Sequence, residues 1–262
     1  MVGWLAPMSQ FSNVSVMSSA AVAAVGVAVR YRRADGAFVD TSLDRLPCDE
    51  VFAGRPVREF RAYRGRKHYS GWYFSTTAGG HVVYESRLEL ARILLADQDR
   101  DVVAIAAQPF LLEGADGGRV RRHVPDLLVE HADGRLTVID VKAPWLMQDA
   151  KVVAQFAWAE AVCGEYGFGF EAWSGCDPVV LENVRFLAGY RRAELIDLRL
   201  AALVLDRAGS GARIGEIEFA LDAPDRRGLV RPALLHLLWR GGLRADLSRP
   251  LGADTVVAGA GS

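Results

Sequence analysis

The sequence predicts an α/β protein built round a mixed sheet, with a smaller helical part towards its C-terminal end. Between residues 85 and 173 the hydrophobic pattern runs helix, strands, helix, strand, an order typical of an α/β core. After about residue 178 it changes to short helical segments. The 262 residues, 51% of them hydrophobic, are enough for a packed core and for one or two domains.

The N-terminal third predicts a leader, a hairpin and a basic stretch. Residues 1–22 predict a loose leader, and residues 25–39 predict a hairpin around the turn Ala34-Asp35-Gly36. In residues 55–67 basic side chains are concentrated, with aromatic ones interleaved or following directly. That mixture suits a surface that tracks a nucleic-acid backbone. The alternative is an amphipathic β-segment with its aromatics in the core and its arginines in water.

Residues 85–173 predict two helices and five strands. Residues 85–96 predict a helix with an apolar stripe, on which Glu85 and Glu89 lie one turn apart on one face. Residues 148–163 predict a second helix with an apolar side. The predicted strands cover residues 102–107, 110–118, 123–130, 136–142 and 167–173, with a hairpin turn at 132–135.

The C-terminal part predicts helices at residues 183–190, 193–205, 214–220 and 229–240, then a small β wing at 243–258. Short helices followed by a two-strand tail favour a winged-helix-like domain. We therefore divide the chain into a flexible leader, 1–22, a core domain, 23–178, and a winged-helix-like domain, 179–262.

Charge and cysteine content narrow the classes of function. The chain carries 31 Lys and Arg against 32 Asp and Glu, so any nucleic-acid contact must come from local basic patches. The 3 cysteines lie far apart without a CxxC pair, which argues against a disulfide framework or zinc site and fits a cytoplasmic location. The Ala- and Val-rich run 14–29 is too short to cross a bilayer, so we expect no membrane contact.

Two carboxylates and a lysine stand out on the predicted hairpin. Because side chains alternate along a strand, Asp140 and Lys142 point to the same face, and pairing of the two strands can bring Asp126 beside Asp140. Such carboxylates can hold Mg²⁺ or Mn²⁺, and the lysine would reach a metal-bound water or a phosphate. The alternative is structural, because Asp-x-Lys is common by chance in strands.

These motifs carry a family resemblance. Pro125-Asp126 followed by Asp140-x-Lys142 resembles the PD-(D/E)xK nucleases, which have the restriction-endonuclease-like fold. More narrowly, the chain resembles the TnsA-type endonuclease subunit of heteromeric transposases. The motifs in order are Glu85-Ser86-Arg87-Leu88-Glu89, Gln108-Pro109-Phe110, Arg121-Arg122-His123-Val124-Pro125-Asp126 and Val138-Ile139-Asp140-Val141-Lys142.

The resemblance implies a role for each matched residue. Glu89 corresponds to the family's catalytic glutamate, Asp126 to its metal-binding aspartate and Lys142 to its catalytic lysine. Asp140 stands where some members have Gln and is a further catalytic and metal-binding candidate. We expect Glu89, Asp126, Asp140 and the Val141 carbonyl to bind Mg²⁺, with Mn²⁺ as a substitute.

Other residues are accessory candidates. Glu85 is the second choice for the catalytic glutamate, and Gln108 would orient a ligand or cap its strand. His123 is expected to be a strand-edge residue rather than a phosphate contact. The residues expected to contact DNA are Arg58, Arg61, Arg64, Arg66, Lys67, Arg121 and Arg122.

By resemblance, the protein is a Mg²⁺-dependent DNA endonuclease that cuts the 5′ ends of a mobile element. Its implied partners are double-stranded DNA at the transposon ends, a DDE-type transposase and an AAA-type ATPase regulator, the last contacting the C-terminal domain. Two alternatives stay open: a stand-alone nuclease in restriction, repair or defence, and a non-catalytic DNA-binding assembly module.

Overall fold

The computed structural model describes residues 26–58, 69–225 and 227–260, and the predicted leader lies outside them. These residues form a mixed α/β structure, which confirms the predicted class. Its α-helices are α1 (Cys48–Phe52), α2 (Arg87–Gln98), α3 (Ala150–Glu165), α4 (Pro178–Leu187), α5 (Leu198–Ala208), α6 (Ile214–Leu221) and α7 (Val230–Trp239). In the described residues no helix is long and apolar enough to cross a membrane.

The strands form four small sheets, and consecutive strands often lie in different sheets. In chain order the strands are β1 (Ala28–Arg32), β2 (Phe38–Ser42), β3 (Gly71–Ser75), β4 (Gly80–Tyr84), β5 (Val102–Ala107), β6 (Phe110–Asp116), β7 (Arg119–His123), β8 (Leu127–His131), β9 (Leu136–Val141), β10 (Gly169–Trp173), β11 (Ala212–Arg213), β12 (Leu243–Arg244) and β13 (Val256–Gly259). The hairpin predicted over residues 25–39 is confirmed as β1–β2.

The central sheet has the strand order β10-β9-β8-β5. Its three strands β5, β8 and β9 pair antiparallel, whereas β10 pairs parallel to β9. A parallel neighbour requires a crossover connection, and α3 supplies it. The predicted mixed sheet is therefore confirmed.

A second sheet, β2-β1-β6-β7, is joined to the central sheet by two short connections, which together we call the sheet corner. The chain turns this corner twice, from β5 to β6 at Gln108-Pro109 and from β7 to β8 at Val124-Pro125-Asp126. The two turns are tied together, because the amide of Gln108 donates a 2.9 Å hydrogen bond to the carbonyl of Asp126.

The central sheet is covered on both faces. On one face Ile139 and Val141 join a core with α2 and the C-terminal helices. On the other face Leu128 and Val138 join a core with α3 and the second sheet. The alternation of side chains along β8 and β9 divides them between the two cores.

Helix α2 is fixed to two sheets, to the β3–β4 hairpin by hydrogen bonds of Asp97 and to the central sheet by an ion pair of Arg92. The buried Asp97 near its end accepts hydrogen bonds from the hydroxyls of Tyr73 and Ser75, both at 2.7 Å, and from the amide of Thr77, at 2.8 Å. All three donors lie on the β3–β4 hairpin or its turn. Midway along α2, Arg92 pairs with Glu171 of β10 at 2.7 Å.

The C-terminal part packs on the same core as α2. Helix α4 contacts α2, and α5, α6 and α7 gather round the three-stranded sheet β11-β13-β12. Buried side chains from Ile139 to Trp239 belong to one continuous cluster. Eight of the ten residues of α7 are buried, so it is a core helix.

Candidate active site

Glu89 is held at the start of α2 by two hydrogen bonds, one through its amide and one through its carboxylate. The hydroxyl of Ser86, the N-cap residue, accepts a hydrogen bond from the amide of Glu89 at 3.0 Å. Oε2 of Glu89 in turn accepts from the amide of Glu85 at 2.7 Å. The sequence Ser-x-x-Glu favours this arrangement because it satisfies amides that a helix start leaves without partners. The carboxylate of Glu89 is thus fixed relative to the helix axis.

Asp126 lies where the β8–β9 ladder ends. The last paired residues are Leu127 and Ile139, so Asp126 stands opposite Asp140 in the same register. Its Oδ2 accepts a 2.7 Å hydrogen bond from the amide of Val141. The carboxylate therefore takes the place of the backbone acceptor that the ladder no longer supplies.

Asp140 is buried in the strand and bound to a histidine. Nε2 of His123 lies 2.9 Å from Oδ1 and 2.7 Å from Oδ2 of Asp140. Only 3% of the Asp140 side chain is exposed, and 14% of that of His123. His123 does not begin the strand predicted over 123–130 but ends β7, and its bond to Asp140 was not predicted because it joins strands of two different sheets.

Lys142 follows the last residue of β9. Its amide donates a 2.9 Å hydrogen bond to the carbonyl of Trp173, which extends the parallel pairing with β10. Burial raises the pKa of both Glu89 and Asp126, and the positive charge of Lys142 opposes that rise at each carboxyl group. The positively charged group therefore acts on both carboxylates.

The acidic groups act on one another. Burial is the largest cause that raises the pKa of Asp126, which reaches about 7, and the charges of Glu89 and Asp140 raise it further. The pKa of Glu89 is also raised, again first by burial. Carboxylates this close in a low-dielectric setting oppose each other's ionisation. The structure thus brings Glu89, Asp126, Asp140 and Lys142 into one electrostatic group.

A divalent hard cation suits this donor set. Glu89 and Asp126 offer carboxylate oxygens, which Mg²⁺ and Mn²⁺ prefer, and a cation would relieve the repulsion that raises the pKa of Asp126. Across the described ranges, no three or more His, Cys, Asp or Glu side chains are arranged as a ready ligand cluster. Because His123 engages both oxygens of Asp140, convergence of three carboxylates on one cation remains a prediction.

The accessory candidates have different positions. Glu85 pairs with Arg58 at 3.5 Å, beside the start of α2. Gln108 is buried at the sheet corner, directly bonded through its backbone to Asp126. Both therefore adjoin the group formed by Glu89 and Asp126.

The predicted DNA-contacting residues divide into two groups. Arg61, Arg64, Arg66 and Lys67 lie outside the described residues. Arg121 pairs with Asp116 and donates to Gln155 at 3.1 Å, and Arg122 pairs with Glu113 at 2.5 Å. Arg121 and Arg122 thus each already pair with a carboxylate on the same hairpin.

No protein-family model matches this sequence, and no curated protein is similar to it. What the protein does must therefore be argued from the site itself. The strongest feature is that α2, β8 and β9 deliver one glutamate, one aspartate and one lysine to neighbouring positions.

Proposed function

We propose that this protein is a Mg²⁺-dependent DNA endonuclease of the PD-(D/E)xK type. The observation that carries the proposal is the register of β8 and β9, which sets Asp126 opposite Asp140 with Lys142 one residue past the end of β9. Glu89, in the first turn of α2, lies near enough for its charge to raise the pKa of Asp126 further, beyond the effect of burial. Two acidic oxygen donors can hold a divalent cation, and an ammonium group beside them can stabilise charge on a phosphate, a combination suited to hydrolysis of a phosphodiester.

The topology supports the same assignment. Around the central sheet the chain runs through α2, β5, β8, β9, α3 and β10, with β6 and β7 inserted at the corner. We assign this helix-flanked mixed sheet to the restriction-endonuclease-like fold. The candidate residues then lie at one end of the central strands β8 and β9 and at the start of the flanking helix.

Each residue has a distinct task in the proposed reaction. Glu89 and Asp126 would hold Mg²⁺, which when bound polarises the phosphate and lowers the pKa of a water molecule. The Val141 amide keeps the Asp126 carboxylate in place through its 2.7 Å hydrogen bond. Lys142 would neutralise charge on the phosphate or orient the attacking water.

The C-terminal part supports a role in assembly. Its order of α5, β11, α6, α7, β12 and β13 resembles a winged-helix domain. Helix α7, the third helix in that order, is buried, and its exposed Arg231 pairs with Glu218 at 2.5 Å. A buried helix cannot enter a DNA groove, so we assign this part to protein contacts.

The biological setting rests on the motifs described above. We propose that the protein is the endonuclease subunit of a heteromeric transposase, cutting at the 5′ ends of a mobile element. The partners would be a DDE-type transposase and an AAA-type ATPase regulator. Such a complex would act on cytoplasmic DNA.

A nicking assay tests the nuclease assignment. Purified full-length protein should convert supercoiled plasmid to the nicked form with Mg²⁺ or Mn²⁺ but not with EDTA, and Asp126→Asn should abolish the activity. Asp133→Asn, at the exposed turn of the same hairpin, is the matched control and should retain it. If Asp126→Asn cuts as fast as the native protein, the assignment is wrong.

A further inference from the structure

Gln108 adopts a backbone conformation that suits glycine. It turns the corner between β5 and β6 with a φ of 46°, the only positive φ of a non-glycine residue in the described ranges. An L-residue with a side chain is strained in this region, whereas glycine is not. The shape of the corner alone would favour glycine, so it does not explain why this position holds glutamine.

The side chain of Gln108 is also unsatisfied. The residue is 2% exposed, and neither Oε1 nor Nε2 has a hydrogen-bond partner. Nearly all buried polar groups in folded proteins are hydrogen-bonded, because an unpaired one loses its hydration without compensation. Gln108 thus departs from two rules of stable folding at once, which is a mark of functional positions.

The backbone hydrogen bonds of Gln108 fix the sheet corner, but they do not require a glutamine side chain. Its amide bonds to the carbonyl of Asp126, and its carbonyl accepts a 3.1 Å hydrogen bond from the amide of Val57. A glycine could make both bonds without strain. What glutamine adds is the carboxamide.

The sheet register places Gln108 in a row with the acidic residues. Ala107 pairs with Leu127, so Gln108 stands opposite Asp126, and Leu127 pairs with Ile139, so Asp126 stands opposite Asp140. The three polar residues therefore occupy one cross-strand row over β5, β8 and β9. Neighbours in such a row are the residues that interact across a sheet.

We infer that the carboxamide of Gln108 is a neutral oxygen donor to the cation of this site, acting directly or through one of the cation's waters. The inference rests on the proposed function. An amide oxygen is a hard ligand of the kind that divalent cations accept, and it adds no negative charge beside the carboxylates of Glu89 and Asp126. Bound cation would also satisfy the unpartnered oxygen.

Calorimetric titration with Mg²⁺ alone, in the absence of DNA, tests the inference. Gln108→Met keeps the length of the side chain but removes both polar atoms. We expect it to weaken Mg²⁺ binding about 10- to 100-fold, the usual effect of losing a supporting ligand. Without metal, its melting temperature should equal or exceed that of the native protein, because a buried unpaired amide is removed.

Two further variants complete the experiment. Gln108→Gly accommodates the positive φ and should lose Mg²⁺ affinity in the same way, even if the methionine variant folds poorly. Gln155→Met, the matched control, removes another amide with a buried unpartnered nitrogen, on α3, and should bind Mg²⁺ like the native protein.

The outcomes separate this inference from the proposed function. Native affinity in Gln108→Gly or in a folded Gln108→Met, while the native protein binds Mg²⁺ and nicks DNA, overturns the inference alone. A native protein that neither binds Mg²⁺ nor nicks DNA overturns both. Equal weakening in Gln155→Met would show a general effect of buried amides and would also retire the role of Gln108.

Discussion

The imidazole of His123 holds the carboxylate of Asp140, with Nε2 within 2.9 Å of both oxygens. Both side chains are largely buried, so each supplies polar contacts that water cannot. The pair also joins the second sheet to the central one, because His123 ends β7 and Asp140 lies near the end of β9. Its loss should therefore be measurable in stability.

We expect His123→Ala to lower the free energy of unfolding by about 3 kcal/mol, because the buried carboxylate of Asp140 loses its partner. In the Asp140→Asn background the same change should cost clearly less, since no charge is left behind. Urea unfolding of the four proteins gives the coupling energy. Equal costs in the two backgrounds would mean that the pair does not interact.

The stability of the metal-free protein should depend on the charge of Asp126. Its pKa rises from 3.8 to about 7 on folding, so the native state keeps a proton that the unfolded chain loses. The stabilisation is therefore complete below about pH 4 and lost as pH rises through about 7. With EDTA at pH 8, Asp126→Asn should gain on the order of 3 kcal/mol over the native protein.

At pH 5.5 that gain should shrink, because Asp126 is then mostly protonated. Thermal melts at the two pH values measure the difference, and Asp133→Asn is the control. A gain that is the same at both pH values would show that ionisation of Asp126 does not oppose folding.

Lys142→Ala should leave the fold and Mg²⁺ binding near normal and slow single-turnover cleavage by about 10²- to 10³-fold. The reason is the loss of the positive charge that Lys142 would place beside the phosphate or the attacking water. Lys151→Ala, at the exposed start of α3, is the control. A variant that cleaves at the native rate would give Lys142 a structural role.

Glu89→Gln and Glu85→Gln should differ in effect. The glutamine at position 89 can still accept the hydrogen bond from the Glu85 amide, so the melting temperature should be nearly unchanged while Mg²⁺-dependent cleavage is lost. Glu85→Gln removes the partner of Arg58 and should keep cleavage within a few-fold of native. The reverse ranking would transfer the catalytic role to Glu85.

Replacing Arg61 and Arg64 with Ala should weaken DNA binding alike for all sequences. Each phosphate contact adds about 0.9 to the slope of log K against log salt, so the slope should fall by roughly 1–2. Binding titrations at several salt concentrations measure it. An unchanged slope would favour a solvated face or a protein contact for this segment.

Periodicity in the sequence predicted α2, α3 and the second strand of the central hairpin closely, whereas the first strand was predicted over 123–130 and is Leu127–His131. The helix predicted over 85–96 is Arg87–Gln98, and the strand predicted over 136–142 is Leu136–Val141. Amphipathic stripes and turn residues are local signals, so they survive without knowledge of the rest of the chain. They also placed Asp126 and Lys142 on neighbouring strands.

Local sequence patterns could not predict the conformation and contacts at the sheet corner. Nothing in the amino-acid sequence indicates that Gln108 has a positive φ, because that conformation depends on the pairing of β5 with β8. The contact between His123 and Asp140 follows from the same corner. The strands β3 and β4 were likewise not predicted as a hairpin, and they are held by Asp97 of α2, more than twenty residues from Tyr73 and Ser75.

The hydrogen bonds between Asp97 and the β3–β4 hairpin affect the order in which the molecule folds. Asp97 meets its hairpin donors 20 to 24 residues away along the chain, so β3, β4 and α2 can associate with a small loss of loop entropy. Parallel pairing of β9 with β10 must await the crossover through α3 and is slower. In pulse-labelling hydrogen exchange, the Thr77 amide should gain protection before the Lys142 amide. Helix α2, which carries Glu89, would then be in place before Lys142 is.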